Sequence, residues 1–338
     1  MDGCLSRTSL PSTKSISVPR TSLPSTKSIS VPRFSVLICT YQRAELLPRA
    51  MSSVLQQGFA DFELIVVDDG SSDGTKEVVE SFQDERILFL ANFENRGLAR
   101  STNRGFAEAT GDFLSILDDD DEFEPTFLEK MDHHLKTTEV DFSWCGVREF
   151  PENGKLPKEI MVELKEPDLY SRQMLAVLIG SGFGFTIRRS LLESVGGYDE
   201  NLLTTCDVDL FLNLVQGPWQ WSALPHVLVN VYRQSERLTL CNARRAESLE
   251  YIIDKHAPFL STHPRLKSAL YFQLGAVLAD AGERLWIRRA LGAYLRESPK
   301  DVAAWSIWLS SELRHYWFGL KLLQVYRWFY HRYFAPQA

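Results

Sequence analysis

Between Phe34 and Leu117 the chain alternates short apolar runs with stretches of helical periodicity, and few folds accept that pattern. Phe34 to Thr40 is apolar and β-branched, Ala44 to Gln57 repeats at helical spacing, and Phe62 to Val67 reads as a second strand. A helix from Gly74 to Phe82 follows, with Asp73 placed as its N-cap. Arg86 to Leu90 reads as a third strand, Gly97 to Ala109 as a helix, and Asp112 to Leu117 as a fourth strand. Strands alternating with helices predict an α/β fold with a mainly parallel sheet, helices on both faces and right-handed crossovers. The 338 residues suit one large or two ordinary domains, and the 44% apolar content allows a sizeable core.

In open α/β sheets ligands bind at the carboxyl ends of the strands, so the residues after each strand bear the chemistry. The run Phe113-Leu114-Ser115-Ile116-Leu117 leads straight into Asp118-Asp119-Asp120-Asp121. Clustered carboxylates repel and raise one another's pKa. A divalent cation with oxygen ligands relieves that cost, and Mg2+ typically joins carboxylates to substrate phosphates. An isolated acidic run is more often a solvated loop; its neighbours argue otherwise here.

The second strand ends in Val67-Asp68-Asp69-Gly70-Ser71, which puts acids at the same edge, where a carboxylate can accept from a base N–H or a ribose hydroxyl. The same residues also make an ordinary turn. The first strand ends in Thr40-Tyr41-Gln42-Arg43, a hydroxyl, an aromatic face and a cation suited to stacking a base and neutralising phosphate. Arg96, in Asn95-Arg96-Gly97, and then Arg100 with Asn103, add cationic and polar groups after the third strand. There is no Gly-x-x-x-x-Gly-Lys-Ser/Thr loop and no Gly-x-Gly-x-x-Gly, so phosphates are expected on metal and arginine rather than in a glycine cradle.

These segments, in this order, resemble the family 2 glycosyltransferases of GT-A fold. The resemblance runs from Phe34 to about Arg233 and includes Gly111-Asp112-Phe113, Gly196-Gly197-Tyr198-Asp199-Glu200 and Asp207-Val208-Asp209-Leu210. It implies transfer of a sugar from a nucleotide donor, with inversion, to a glycan, lipid or protein hydroxyl. It makes Asp118-Asp119-Asp120 the Asp-x-Asp element, with Asp118 and Asp119 donor-binding and Asp120 the direct ligand of Mg2+ or Mn2+. It assigns Asp68 and Asp69 to uracil and ribose of a UDP-sugar, beside Thr40, Tyr41, Arg43 and Arg96. It makes Asp207 the catalytic base. Cys206 stands where the family carries a glutamate, and Gln234 or Ser235 where a histidine is common. Asp121 is expected to orient its neighbours or cap the helix near Pro125, and Asp199 and Asp209 can equally be helix anchors. A non-catalytic sugar-nucleotide-binding protein of the same fold is the alternative.

Residues 1–33 contain Arg7 to Pro19 repeated unchanged as Arg20 to Pro32, a Ser/Thr/Pro-rich leader expected to be disordered. Residues 34–237 are expected to form the GT-A domain and 238–338 a helical region, within which Tyr271, Leu274, Gly275 and Leu278 follow tetratricopeptide spacing. Residues 313–338 hold nine aromatics, four Lys or Arg and no acid, which suits either an aromatic stripe packed on the protein or an interfacial helix on a membrane surface. The net charge of −7 does not favour nucleic acid as a partner. Five scattered cysteines predict reduced thiols in the cytoplasm, with Cys39 a small core residue. No apolar run reaches the length of a membrane span, and the N-terminus lacks the apolar stretch of a secretory signal. A cytoplasmic protein, peripheral on the inner face of the membrane, is the resulting expectation. The seven histidines form no ligand spacing, and His133-His134 reads as a solvated pair on a helix.

Overall fold

A computed structural model describes residues 31–152, 155–162, 182, 184–233, 242–263, and positions 266, 267, 270, 271, 274, 292 and 295. The chain divides into units 1–30 and 31–338, of which only the second is described. Most of the N-terminal duplication, most of the tetratricopeptide spacing, Gln234, Ser235 and the aromatic segment 313–338 lie outside the described residues.

The alternating region folds as read. It comprises β1 (Phe34–Thr40), α1 (Leu47–Leu55), β2 (Phe62–Asp68), α2 (Thr75–Ser81), β3 (Ile87–Ala91), α3 (Leu98–Glu108) and β4 (Phe113–Ile116). After it come β5 (Glu122–Phe123), α4 (Phe127–Thr138), β6 (Phe142–Phe150), β7 (Lys158–Ile160), β8 (Thr186–Arg188), α5 (Arg189–Val195), α6 (Cys206–Val215), β9 (Trp221–Tyr232), α7 (Asn242–Lys255) and α8 (Ala257–Thr262). The sheet order is β3-β2-β1-β4-β8-β6-β9-β5, with β7 beside β6. From β3 to β4 every pairing is parallel. Beyond β4 the sheet is mixed, because β8 runs antiparallel between β4 and β6 while β6 and β9 are parallel. The strand order reverses between β1 and β4, the switch point where such sheets open a crevice.

Both faces of β1 are buried, which explains its continuous apolar run. Val36 and Ile38 face Leu47, Ala50, Met51 and Val54 of α1, while Leu37 joins Ala99 and Phe106 of α3 on the other side. The large fully buried ones among them, Val36, Leu37, Ile38, Leu47, Met51 and Val54, each contribute roughly 1.5–3 kcal/mol. A second packing centre holds α6 to the sheet. The Trp144 ring lies 5.2 Å from Phe211 of α6 and 5.4 Å from each of Phe142, Phe185 and Trp221.

Two local expectations change. The N-cap of α2 is Gly74, with φ 88° and no side-chain cap. Asp73 instead accepts the Ala44 N–H at 2.8 Å and the Thr75 hydroxyl at 2.6 Å, joining the loops after β1 and β2. His133 is exposed, but His134 is buried and its Nε2 lies 2.8 Å from the Ser222 hydroxyl. Burial lowers the His134 pKa. The other face of α4 is the core side, and one step of 100° carries a residue from water to packing.

Gly111 fixes where β4 begins. Its N–H donates to the Ser35 hydroxyl at 2.9 Å, and a Cβ there would stand 2.6 Å from the Ser35 backbone nitrogen. Gly111→Ala is therefore expected to cost about 1–3 kcal/mol, read as a lower denaturation midpoint. An unchanged midpoint would show that the β1–β4 junction gives way without cost.

Candidate active site

The loops after β1, β2 and β4 converge at the carboxyl edge of the parallel strands. Thr40 pairs with Asp68 in register, and the Asp69 N–H donates to the Thr40 carbonyl at 2.9 Å. Gln42 receives φ 53° and zips the two loops together: its N–H meets the Ser71 hydroxyl at 2.8 Å and its side chain meets Ser72 at 3.0 Å. Tyr41 is left 45% exposed.

Asp68 and Asp69 are both buried, and the structure separates their jobs. Asp68 Oδ1 accepts the Ser71 N–H at 2.9 Å. Asp69 Oδ1 accepts from Asn92 Nδ2 at 2.8 Å, the Arg96 N–H at 2.8 Å and the Ser101 hydroxyl at 2.7 Å, and Oδ2 accepts the Gly97 N–H at 2.9 Å. Those donors make Asp69 the clasp of the Asn95-Arg96-Gly97 loop. Gly70 permits the clasp, since at φ 81° a Cβ would come 2.6 Å from the Glu94 backbone carbon. The Arg96 side chain stays exposed at the rim.

The four aspartates after β4 do not act as one block. The Asp121 N–H donates to the Asp118 carbonyl at 3.1 Å, and this turn swings residues 118 and 121 toward each other. Asp118, Asp120 and Asp121 each bring a carboxylate oxygen within 4.8 Å of the others, with Asp118 exposed and the other two buried. Asp119 points elsewhere and accepts Arg43 at 2.8 Å; Arg43 also lies 3.4 Å from Asp120. Burial works against the Arg43 charge, but Asp119 and Asp120 outweigh it and raise its pKa. Burial raises the Asp119 pKa, opposed by Arg43 and by the neighbouring Thr40 hydroxyl. Asp118 and Asp120 of the expected Asp-x-Asp element thus share the acid cluster with Asp121, while Asp119 pairs with Arg43. Three hard oxygen donors about one point fit Mg2+ or Mn2+.

Asp121 does not cap α4, whose N-cap is Thr126 without a side-chain bond. Its Oδ1 accepts the Tyr232 N–H at 2.9 Å, at the end of β9. Tyr232 stacks on Phe150 at 4.8 Å, donates its hydroxyl to Glu122, and carries the Arg49 guanidinium 3.7 Å above its ring. Arg49 in turn donates to the Asp120 carbonyl. Burial pushes the Tyr232 phenol up to about 12, with Glu122 acting the same way.

Asp207 sits in the first turn of α6, half-buried, its Oδ1 accepting the Val208 N–H at 2.9 Å. Burial raises the Tyr198 phenol well above its ordinary value, and the negative charges of Asp207 and Asp118 push the same way. The Tyr198 side chain is buried, with its ring 5.6 Å from Phe106 of α3. Asn103 holds it there, with Nδ2 on the Tyr198 carbonyl and Oδ1 on its N–H, each at 2.8 Å. Cys206 is a buried thiol whose pKa burial raises well above the ordinary value. Cys39 is only partly buried as a residue, yet desolvation carries its thiol to about 12.

Comparison with known proteins bears on the family and the fold. Residues 35–196 match the family described as Glycosyl transferase family 2. An uncharacterized glycosyltransferase of Haemophilus influenzae is 30% identical over 220 residues, covering 61% of this chain and 67% of that protein. The chain belongs to glycosyl transferase family 2. A second relative, GalNAc(5)-diNAcBac-PP-undecaprenol beta-1,3-glucosyltransferase of Campylobacter jejuni, is 33% identical over 165 residues, or 47% of this chain. The chain spans 53% of that relative's length. Among solved structures, S. aureus TarS 1–349 in complex with UDP-GlcNAc superposes with TM-score 0.65 at 18% identity, covering 87% of this chain and 91% of that one. Mannosyltransferase PcManGT of Pyrobaculum calidifontis, in complex with GDP-Man and Mn2+, gives 0.54 at 20% identity over 84% and 81%. At these identities the likeness establishes the GT-A fold.

Several residues that build this strand-end cluster had no signal of their own in the sequence. Asn92, Ser101, Arg49 and Tyr232 act through contacts between positions far apart in the chain, which periodicity and motif spacing do not report.

The clasp has a local consequence. Asp69→Ala removes the acceptor of the Arg96 and Gly97 amides, so their hydrogen exchange is expected to quicken by about 10-fold or more. Exchange at wild-type rates would show that other groups hold the loop.

Proposed function

We propose that the chain is an inverting glycosyltransferase that moves a sugar from a UDP-sugar to a hydroxyl of a glycan, lipid or protein, with Asp207 as the base. The observation that carries this reading is that Asp118, Asp120 and Asp121 bring carboxylate oxygens within 4.8 Å of one another at the strand edge where the loops after β1 and β2 also converge. That convergence suits a reaction with a diphosphate leaving group. The UDP-GlcNAc and GDP-Man ligands of the two structural neighbours support a nucleotide-sugar donor.

In this reading Tyr41 stacks on the base, and Asp68 accepts from uracil or ribose. Asp69 acts through the loop it clasps, which presents Arg96 toward the diphosphate. Arg43, held by Asp119, adds positive charge beside the acid cluster. Asp118, Asp120 and Asp121 are the residues that would hold Mg2+ or Mn2+, with Asp120 the central ligand. When bound, the ion supplies charge compensation for the departing diphosphate. Asp207 takes the proton from the acceptor hydroxyl, which attacks the anomeric carbon from the face opposite the leaving group. The bond to the UDP oxygen breaks as the new glycosidic bond forms, and the product is inverted.

The catalytic unit is taken as residues 34–237, with 238–338 a helical addition. A cytoplasmic protein whose segment 313–338 meets the inner membrane face fits the aromatic and basic composition of that segment. Cys206, a buried thiol where the family carries a glutamate, favours as a second reading a protein that binds nucleotide sugars without turnover.

Replacing the base separates the two. Asp207→Asn is expected to lower sugar transfer about 10²–10⁴-fold, the usual worth of a positioned base, while UDP affinity in Mn2+ is retained. Turnover equal to wild type in that variant would remove Asp207 from the mechanism. Absence of transfer or hydrolysis by the wild-type chain would favour the second reading.

A further inference from the structure

Helix α6 carries Asp207 but is not held by its own N-terminus. It has no side-chain cap, and Thr205 before it adopts φ 56°, a strained region for a β-branched residue. The anchor lies one step along. Asp209, whose side chain is 1% exposed, accepts Lys255 Nζ at 2.9 Å and His256 Nε2 at 2.8 Å. A carboxylate so buried requires partners of this kind. Gln216 Nε2 meets His256 Nδ1 at 3.0 Å and donates to the Leu212 carbonyl at 2.8 Å. With its proton on Nε2, the His256 ring donates to Asp209 and accepts from Gln216.

Lys255 has a second partner. Its Nζ lies 2.6 Å from Asp199 Oδ2, an oxygen that also accepts the Tyr251 hydroxyl at 3.1 Å. Burial works to raise the Asp199 pKa, but Lys255, the Asn201 N–H and Tyr251 hold it at about 2. Asp199 directly follows Tyr198, whose N–H and carbonyl are both held at 2.8 Å by Asn103 of α3. One ammonium thus ties the turn carrying Tyr198 to the helix carrying Asp207, and it comes from α7, beyond the residues that match the family.

We propose that Lys255 is a positioning residue for the reaction: its bridge between Asp199 and Asp209 sets the placement of the Asp207 carboxylate relative to the acid cluster. This rests on the reading of Asp207 as base. Geometry of this kind matters because a misplacement of about 1 Å can cost on the order of 10²-fold in rate.

The test uses the full chain. UDP release is followed in Mn2+ from UDP-glucose, UDP-galactose, UDP-GlcNAc and UDP-GalNAc, and UDP affinity is measured by calorimetry. Lys255→Met is expected to lower kcat about 10-fold or more with UDP affinity nearly unchanged, and Lys255→Arg to recover most of the loss. A role confined to stability would lower the melting temperature and leave kcat of the folded protein alone, and that result overturns the proposal. Should Lys255→Met fail to fold, Asp199→Asn cuts only the more exposed half of the bridge. It is expected to lower kcat with UDP affinity kept, and a wild-type kcat there also overturns the proposal. Asp207→Asn is run beside these variants. If it releases UDP at the wild-type rate, or if the wild type releases none from any of the four donors, the base assignment falls and the proposal with it. If Asp207→Asn is inactive and Lys255→Met is normal, only the positioning role falls.

Discussion

A carboxylate taken out of water must be paired, hydrogen-bonded or bound to a cation, and that constraint organises this protein's working edge. Asp69 is satisfied by four protein donors, Asp119 by Arg43, Asp121 in part by the Tyr232 N–H, and Asp209 by Lys255 and His256. Each pairing also fixes a loop or a helix. The Asp69 clasp sets the loop before α3, the Arg43–Asp119 pair joins the ends of β1 and β4, and the Asp121–Tyr232 bond ties β9 to the acid run. Asp118, Asp120 and Asp121 turn oxygens toward one another, an arrangement that a divalent cation relieves.

Much of the frame was legible in the sequence, for a physical reason. In a parallel sheet buried on both faces, strands are continuous apolar runs, so β1 matches its expected span from Phe34 to Thr40 and the other early strands match within a residue or two. The acid-bearing strand ends follow from the same logic, because the carboxyl edge of such a sheet is where ligands bind. The antiparallel insertion of β8 between β4 and β6 was not legible. Thr186–Arg188 is too short to show periodicity, and its place depends on pairings with residues about 45 and 70 positions away.

Within the site, residue type was readable and direction was not. Asp118 to Asp121 look equivalent in sequence, yet one backbone turn sends Asp119 to Arg43 and folds Asp121 back beside Asp118. Asp73 looked like a helix cap and is a bridge between loops. His134 looked solvated beside exposed His133 and faces Ser222. These outcomes depend on rotation about a few bonds, which composition and spacing do not encode. Asp209, open to an anchoring role from the start, is the buried partner that connects the C-terminal helices to the helix bearing Asp207.

The division of labour within the acid run is the centre of this account, and Mn2+ binding measured by electron paramagnetic resonance in the presence of UDP tests it most directly. Asp120→Asn is expected to weaken Mn2+ binding by roughly 10-fold or more, as loss of a carboxylate ligand should, while Asp119→Asn leaves Mn2+ affinity close to wild type and weakens UDP instead. Loss of Mn2+ from Asp119→Asn as severe as from Asp120→Asn would contradict it.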